Sequence, residues 1–136
     1  MQEYQFTIIV PVYNEEENLQ RVEKELLAYT KIASKKTSIL FVNDGSKDNS
    51  QAIIEDICLR NDAFNFINFI ENRGLSAAIK AGFDYVKTPL LGYIDSDLQT
   101  APEDFNLLLE KIGEYDLVTG VRANRKDKFV KNMSSK

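Results

Sequence analysis

Residues 6–12, Phe-Thr-Ile-Ile-Val-Pro-Val, form a β-branched apolar run without polar alternation, and this constrains the fold more than any other feature of the chain. A strand with one wet face alternates, whereas a strand covered on both faces reads as a continuous apolar stretch. The run therefore predicts a central parallel strand. Three more short runs behave the same way: Ser38 to Val42, Phe64 to Ile70 and Leu90 to Ile94.

Each run ends in a polar, turn-forming cluster and is followed by a helical pattern. After the first, Asn14 is placed to cap a helix, with Glu15, Glu16 and Glu17 in its first turn and Leu19, Val22, Leu26, Tyr29 and Ala33 as its apolar stripe. Ile53, Ile54 and Ile57 mark the second helix, and Leu75, Ile79, Phe83 and Val86 stripe a third, which Pro89 ends. Thr100 and Glu103 form a capping box around Pro102 before Phe105, Leu108, Leu109 and Ile112. Tyr115 to Val121 reads as a fifth strand. Such alternation predicts an α/β fold, Rossmann-like, with a mostly parallel sheet, helices on both faces and ligands at the carboxyl ends of the strands. Residues 1–121 are expected to form this domain, and 122–136, basic and without periodicity, a loop or the truncated start of a further region.

Composition narrows the chemistry. The 136 residues include no histidine, which excludes Ser/His and Cys/His nucleophilic pairs and any His-bound metal. With 17 basic and 21 acidic residues, and no cluster of Lys and Arg, nucleic acid is not an expected partner. Cys58 is the single cysteine, so no intrachain disulfide forms, which points to the cytoplasm. No apolar run approaches the ~20 residues needed to cross a bilayer.

The strand-end clusters are Tyr13-Asn14-Glu15, Asn43-Asp44-Gly45-Ser46, Asn72-Arg73-Gly74 and Asp95-Ser96-Asp97-Leu98-Gln99. The topology places all four along one edge. In an extended chain Asp95 and Asp97 point the same way. Two such charges at ~4 Å repel by roughly 4 kcal/mol at an effective dielectric of about 20, a strain that Mg2+ or Mn2+ relieves. Gln99 offers an amide oxygen. The same aspartates are also the usual material of a helix cap or a solvated turn. Asp44 suits either a ribose or base contact or an Asx turn beside Gly45. Glu15 suits the first turn of a helix, Gly74 either a phosphate or close packing, and Arg122 and Arg125 either a phosphate or a solvated loop. A phosphatase of the haloacid dehalogenase type also carries Asp-x-Asp after an apolar strand, but near the chain start; here three strand-helix units precede the pair.

In order along the chain, Pro11-Val12-Tyr13-Asn14-Glu15, Val42-Asn43-Asp44-Gly45-Ser46-Lys47-Asp48, Asn72-Arg73-Gly74 with Ala77, Ala78 and Gly82, Asp95-Ser96-Asp97-Leu98-Gln99 with Pro102-Glu103, and Gly120-Val121-Arg122 with Arg125 closely resemble glycosyltransferase family 2. The Asp-Leu-Gln and Gly-x-Arg segments are most similar to its polyprenyl-phosphate branch. The resemblance implies a GT-A fold and inverting transfer from a UDP- or GDP-sugar to an acceptor such as a lipid phosphate. It implies that Pro11, Val12, Tyr13, Asn14, Glu15 and Ser96 line the donor site, that Asp44 contacts the base, and that Asp95, Asp97 and Gln99 hold Mg2+ or Mn2+. Arg122 and Arg125 fall where that branch has arginines near the acceptor phosphate. It further implies action at the cytoplasmic face of the membrane, with membrane contact through segments outside this chain. A non-catalytic nucleotide- or metal-binding module on the same fold is the alternative. Two departures stand out: Asn43 replaces a frequent aspartate, and Leu75 occupies a place often polar.

Overall fold

The computed structural model describes residues 3–96, 101–112, 121–123 and 126–132. The chain runs β1 (Phe6–Val12), α1 (Leu19–Ile32), β2 (Thr37–Asn43), α2 (Ser50–Arg60), β3 (Phe64–Asn68), α3 (Leu75–Tyr85), β4 (Leu90–Tyr93), α4 (Asp104–Ile112), β5 (Val121–Ala123) and β6 (Lys126–Asn132). The sheet order is β3-β2-β1-β4-β6-β5. β1 to β4 are mutually parallel, while β6 runs antiparallel to β4, with Tyr93 opposite Phe129.

The expected central strand is found. Phe6, Ile8, Ile9, Val10 and Val12 are all buried. Even-numbered residues of β1 pack beneath α1, α2 and α4, against Leu19, Val22, Leu26, Ile54, Ile57, Phe105 and Leu109. Phe6 meets Phe105 edge-on at 5.3 Å, a preferred aromatic geometry. Ile9 points to the other face, joining Leu40, Val42, Leu91, Ala78 and Val86 under α3.

Three expectations change. Helix α1 begins at Leu19, not beside Asn14, and Glu15 to Glu17 lie outside it in a turn. Helix α3 buries Ala78 and Gly82 fully, while Leu75, the first residue of the expected stripe, is 49% exposed. The small residues let the helix lie close: a Cβ on Gly82 would fall 2.9 Å from Ile9 Cδ1. Finally, within 122–136, where a loop or the truncated start of a further region is expected, residues 122–123 and 126–132 lie in strands. Part of it pairs as the β5–β6 hairpin and extends the sheet beyond β4, so partner-strand pairing rather than apolar periodicity sets its structure. The predicted strand from Tyr115 lies outside the described residues except Val121, where β5 opens.

Candidate donor-binding cleft

The first four strands deliver their carboxyl ends to one cleft of about 320 Å³, lined by Pro11, Val12, Tyr13, Glu15, Asp44, Asn72, Gly74, Leu75, Asp95 and Ser96. All four polar clusters contribute, as right-handed crossovers of a parallel sheet require. Pairing holds to the rim: Asp44 N–H donates to Val12 O at 2.8 Å, Phe69 N–H to Asn43 O at 2.9 Å, and Ile94 N–H to Ile9 O at 3.0 Å.

Asp44 is 4% exposed and organises one wall. Its Oδ1 accepts from Arg73 N–H at 2.6 Å, and its Oδ2 accepts from Asn72 Nδ2 at 2.9 Å and Gly74 N–H at 3.0 Å. The loop before α3 is thus hung on this carboxylate. No Asx turn forms at Asp44. Asn43 braces the turn instead, its side-chain oxygen accepting the N–H of Ser46, three residues on, at 3.2 Å while its amide donates to Asn68 Oδ1 at 3.0 Å. A buried amide does both jobs, donor and acceptor; an ionised aspartate could only accept. Gly45 has φ +70°, and a Cβ there would overlap the Glu71 and Asn72 backbone. Glycine is needed at this crossing. Gly74, at φ 100° and ψ 163°, occupies a region essentially restricted to glycine.

Beside the cleft, a latch joins the loop after β1 to the loop after β2. Asn14, at φ 54°, donates its N–H to Ser46 Oγ at 2.9 Å and accepts Lys47 N–H on Oδ1 at 2.8 Å. Glu15 N–H donates to Ser50 Oγ at 2.9 Å, and Glu16 exchanges bonds with Asp48 and Asn49. These bonds explain why Asn14 is not a helix cap and why it is absent from the cleft lining. Partial burial opposes ionisation of Asp48, yet the Ser50 hydroxyl and the N–H groups of Ser50 and Glu16 outweigh it and hold this carboxyl below its ordinary range. The Glu15 side chain accepts from Asn18 Nδ2 at 2.7 Å and still borders the cleft.

Asp95 lines the cleft half-buried, next to buried Ser96. Asp97, Gln99 and Arg125 lie outside the described residues, and of Arg122 only the β5 backbone is described. Among the described residues no three acidic, histidine or cysteine side chains gather to hold a metal. Away from the cleft, burial, reinforced by the Glu55 charge, pushes the Cys58 thiol up to about 11, which disfavours its thiolate form.

Sequence reading placed Pro11, Val12, Tyr13, Glu15, Asp44, Asp95 and Ser96 in the site, and the structure brings these together. It did not assign Asn72 and Leu75 to the site. The Asn72-Arg73-Gly74 cluster was the available signal for the first; nothing in local pattern marks Leu75.

Comparisons with known proteins agree with this geometry. The family model described as glycosyl transferase family 2 matches residues 7–136. The chain is 37% identical over 133 residues to the undecaprenyl-phosphate 4-deoxy-4-formamido-L-arabinose transferase of Pseudomonas fluorescens, covering 96% of this chain and 39% of the relative. It is 42% identical over 127 residues to the uncharacterized glycosyltransferase YkcC of Bacillus subtilis, covering 90% of this chain and 38% of that one. The chain thus spans under two-fifths of the length of these curated relatives. Among solved structures, the mannosyltransferase PcManGT of Pyrobaculum calidifontis, in complex with GDP-Man and Mn2+, superposes with a TM-score of 0.73 at 16% identity, over 92% of this chain and 37% of that one. S. aureus TarS in complex with UDP gives 0.63 at 20% identity, over 89% and 37%. The fold is the α/β GT-A fold of such enzymes. With four strand-end clusters meeting in one cleft and the family model matching residues 7–136, the chain belongs to glycosyl transferase family 2.

Proposed function

We propose that this chain is the donor-binding part of an inverting glycosyltransferase, which moves a sugar from a UDP- or GDP-linked donor to an acceptor, with a polyprenyl phosphate as the acceptor of choice. The observation that carries the reading is the meeting of four strand-end clusters in one cleft with Asp95 on its wall. The acceptor rests on the named activity of the P. fluorescens relative.

In this reading Pro11, Val12 and Tyr13 flank the base and ribose, Glu15 and Asp44 supply acceptors, and Ser96 supports the acidic loop. Asp95, Asp97 and Gln99 hold Mg2+ or Mn2+. The oxygen-rich donor set fits a hard cation, which when bound supplies charge stabilisation for the departing nucleoside diphosphate. The start of α3 borders the same cleft, so its dipole favours phosphate there. Arg122 and Arg125 neutralise the acceptor phosphate, which, already ionised, attacks without a dedicated base. Residues 1–121 form the donor domain, and 122–136 open the acceptor side. Among the described residues no helix is long and apolar enough to cross a membrane. We place work at the cytoplasmic membrane face on the remainder of the enzyme.

The reading is tested by calorimetry with UDP- and GDP-sugars, with and without Mn2+. Asp97→Ala is expected to abolish metal-dependent binding, and Lys128→Ala to leave it unchanged. Equal, metal-independent binding by wild type and Asp97→Ala would refute it. Metal-dependent binding without transfer by any longer form of the protein would favour the non-catalytic module.

A further inference from the structure

Helix α4 follows the acidic segment that opens at Asp95, and its nine residues are too few to hold a place without tertiary contacts. Two kinds of contact hold it. Phe105 and Leu109 join Phe6, Leu26 and Tyr29 in the core, and such non-directional packing fixes which face turns inward without fixing the helix along its axis. The directional contacts converge on one side chain, Asn106. Its Oδ1 accepts the Tyr29 hydroxyl and the Ser34 N–H, each at 2.9 Å. Its Nδ2 donates at 3.0 Å to Ile32 O, one of the carbonyls that the end of α1 leaves without a helical partner. Burial, reinforced by the Glu103 charge, raises the Tyr29 hydroxyl above its ordinary value, so it stays a donor.

From Asn106 the order runs back toward the acidic segment. Asn106 N–H donates to Glu103 O at 3.0 Å, Phe105 N–H to Pro102 O at 3.0 Å and Asp104 N–H to Ala101 O at 3.1 Å. These bonds order the backbone back to Ala101, two residues after Gln99. On the other side, the stem is held by Ile94 N–H on Ile9 O and by buried Ser96. We infer that Asn106 is a positioning residue: by stapling α4 to the end of α1, it sets the spacing of the two stems from which Asp95, Asp97 and Gln99 hold the cation. The inference rests on the metal-site reading proposed above and adds to it a residue outside the cleft lining.

The test measures Mn2+ uptake with UDP or GDP by electron paramagnetic resonance, beside urea unfolding, for wild type, Asn106→Ala, Tyr29→Phe and Thr7→Val. Asn106→Ala is expected to weaken uptake about tenfold, the low end of what losing support behind a metal's ligands costs, and to change the line shape of the bound ion. Tyr29→Phe keeps the ring against Phe105 and removes one of the three bonds, and weakening of about threefold is expected. Thr7→Val removes buried bonds at the far end of the sheet; it controls for lost stability and is expected to take up Mn2+ as wild type does. If Asn106→Ala unfolds in less urea yet takes up Mn2+ like wild type, its contacts are merely structural and the inference is overturned while the metal-site reading stands. Equal weakening by Thr7→Val overturns it too. No nucleotide-dependent uptake by wild type would overturn the metal-site reading and the inference with it. Should Asn106→Ala not fold, Tyr29→Phe decides, and uptake equal to that of wild type contradicts the inference.

Discussion

The cleft at the carboxyl ends of the strands measures about 320 Å³, whereas a cavity at their amino ends, lined by Tyr4, Thr7, Ser38, Asn65, Tyr85 and Thr88 among others, measures about 650 Å³. The smaller one is the cleft proposed to bind the donor. At the amino end three hydroxyls satisfy one another: Thr88 donates its only hydrogen to Leu90 O at 2.9 Å, so Thr7 must donate to Thr88 at 2.9 Å and Ser38 to Thr7 at 2.8 Å. The chain runs one way and ends on a backbone carbonyl. At the carboxyl end carboxylates and an aromatic ring face the cleft. Asp44 carries three hydrogen bonds from the loop before α3 and still lines the cleft, and Tyr13 is 41% exposed. What distinguishes the ends is the chemistry they present: neutral hydroxyls closing on a backbone carbonyl at one, carboxylates bordering a cleft at the other.

The contrast can be broken most severely at Gly45. Gly45→Ala forces a side chain into the Glu71–Asn72 backbone at positive φ, and a stability loss of roughly 3–4 kcal/mol is expected in urea unfolding, with loss of nucleotide binding. A variant as stable as wild type would show that the two loops do not need this close approach. Thr7→Val tests the other end. Removing the middle hydroxyl should cost about 1–2 kcal/mol, because Ser38 and Thr88 lose a buried partner, yet nucleotide affinity should stay within about twofold. A large change in affinity would mean that the amino-end cavity belongs to the site.

The smallest expected effect concerns pH. Asp48 is held below its ordinary value of 3.8, so its stabilisation of the latch is complete above that value and is lost as pH falls through its lower folded value. Acid unfolding of Asp48→Asn should show a shallower pH dependence in that window than wild type. Identical acid profiles would remove Asp48 from the latch.

The first four strands and the edge at which they meet were legible in the sequence, because continuous apolar runs ending in polar turns have few other solutions. What local pattern missed was set by partners distant along the chain. Asn14 has the propensity of an N-cap, but Ser46 and Lys47, 32 and 33 residues away, draw it into the latch instead. Asp44 could be read as a ligand contact or a turn, and it holds a loop 28 to 30 residues on through the Asn72 side-chain amide and the backbone N–H groups of Arg73 and Gly74. The face of α3 was read only in part: Phe83 and Val86 of the expected stripe pack on the sheet, while the small buried residues Ala78 and Gly82 went unmarked because large side chains dominate a periodicity count. Lys126 to Asn132 has no apolar stripe, and its strand exists by pairing with β4.

The central claim is that Asp95 and Asp97 grip a divalent cation against the diphosphate in the carboxyl-end cleft. Electron paramagnetic resonance of Mn2+ titrated into the chain with UDP or GDP measures this directly. Wild type is expected to remove free Mn2+ signal when nucleotide is present, and Asp95→Ala to weaken that uptake by at least about a hundredfold, equivalent to about 2.7 kcal/mol. Undiminished uptake by Asp95→Ala and Asp97→Ala would contradict the account.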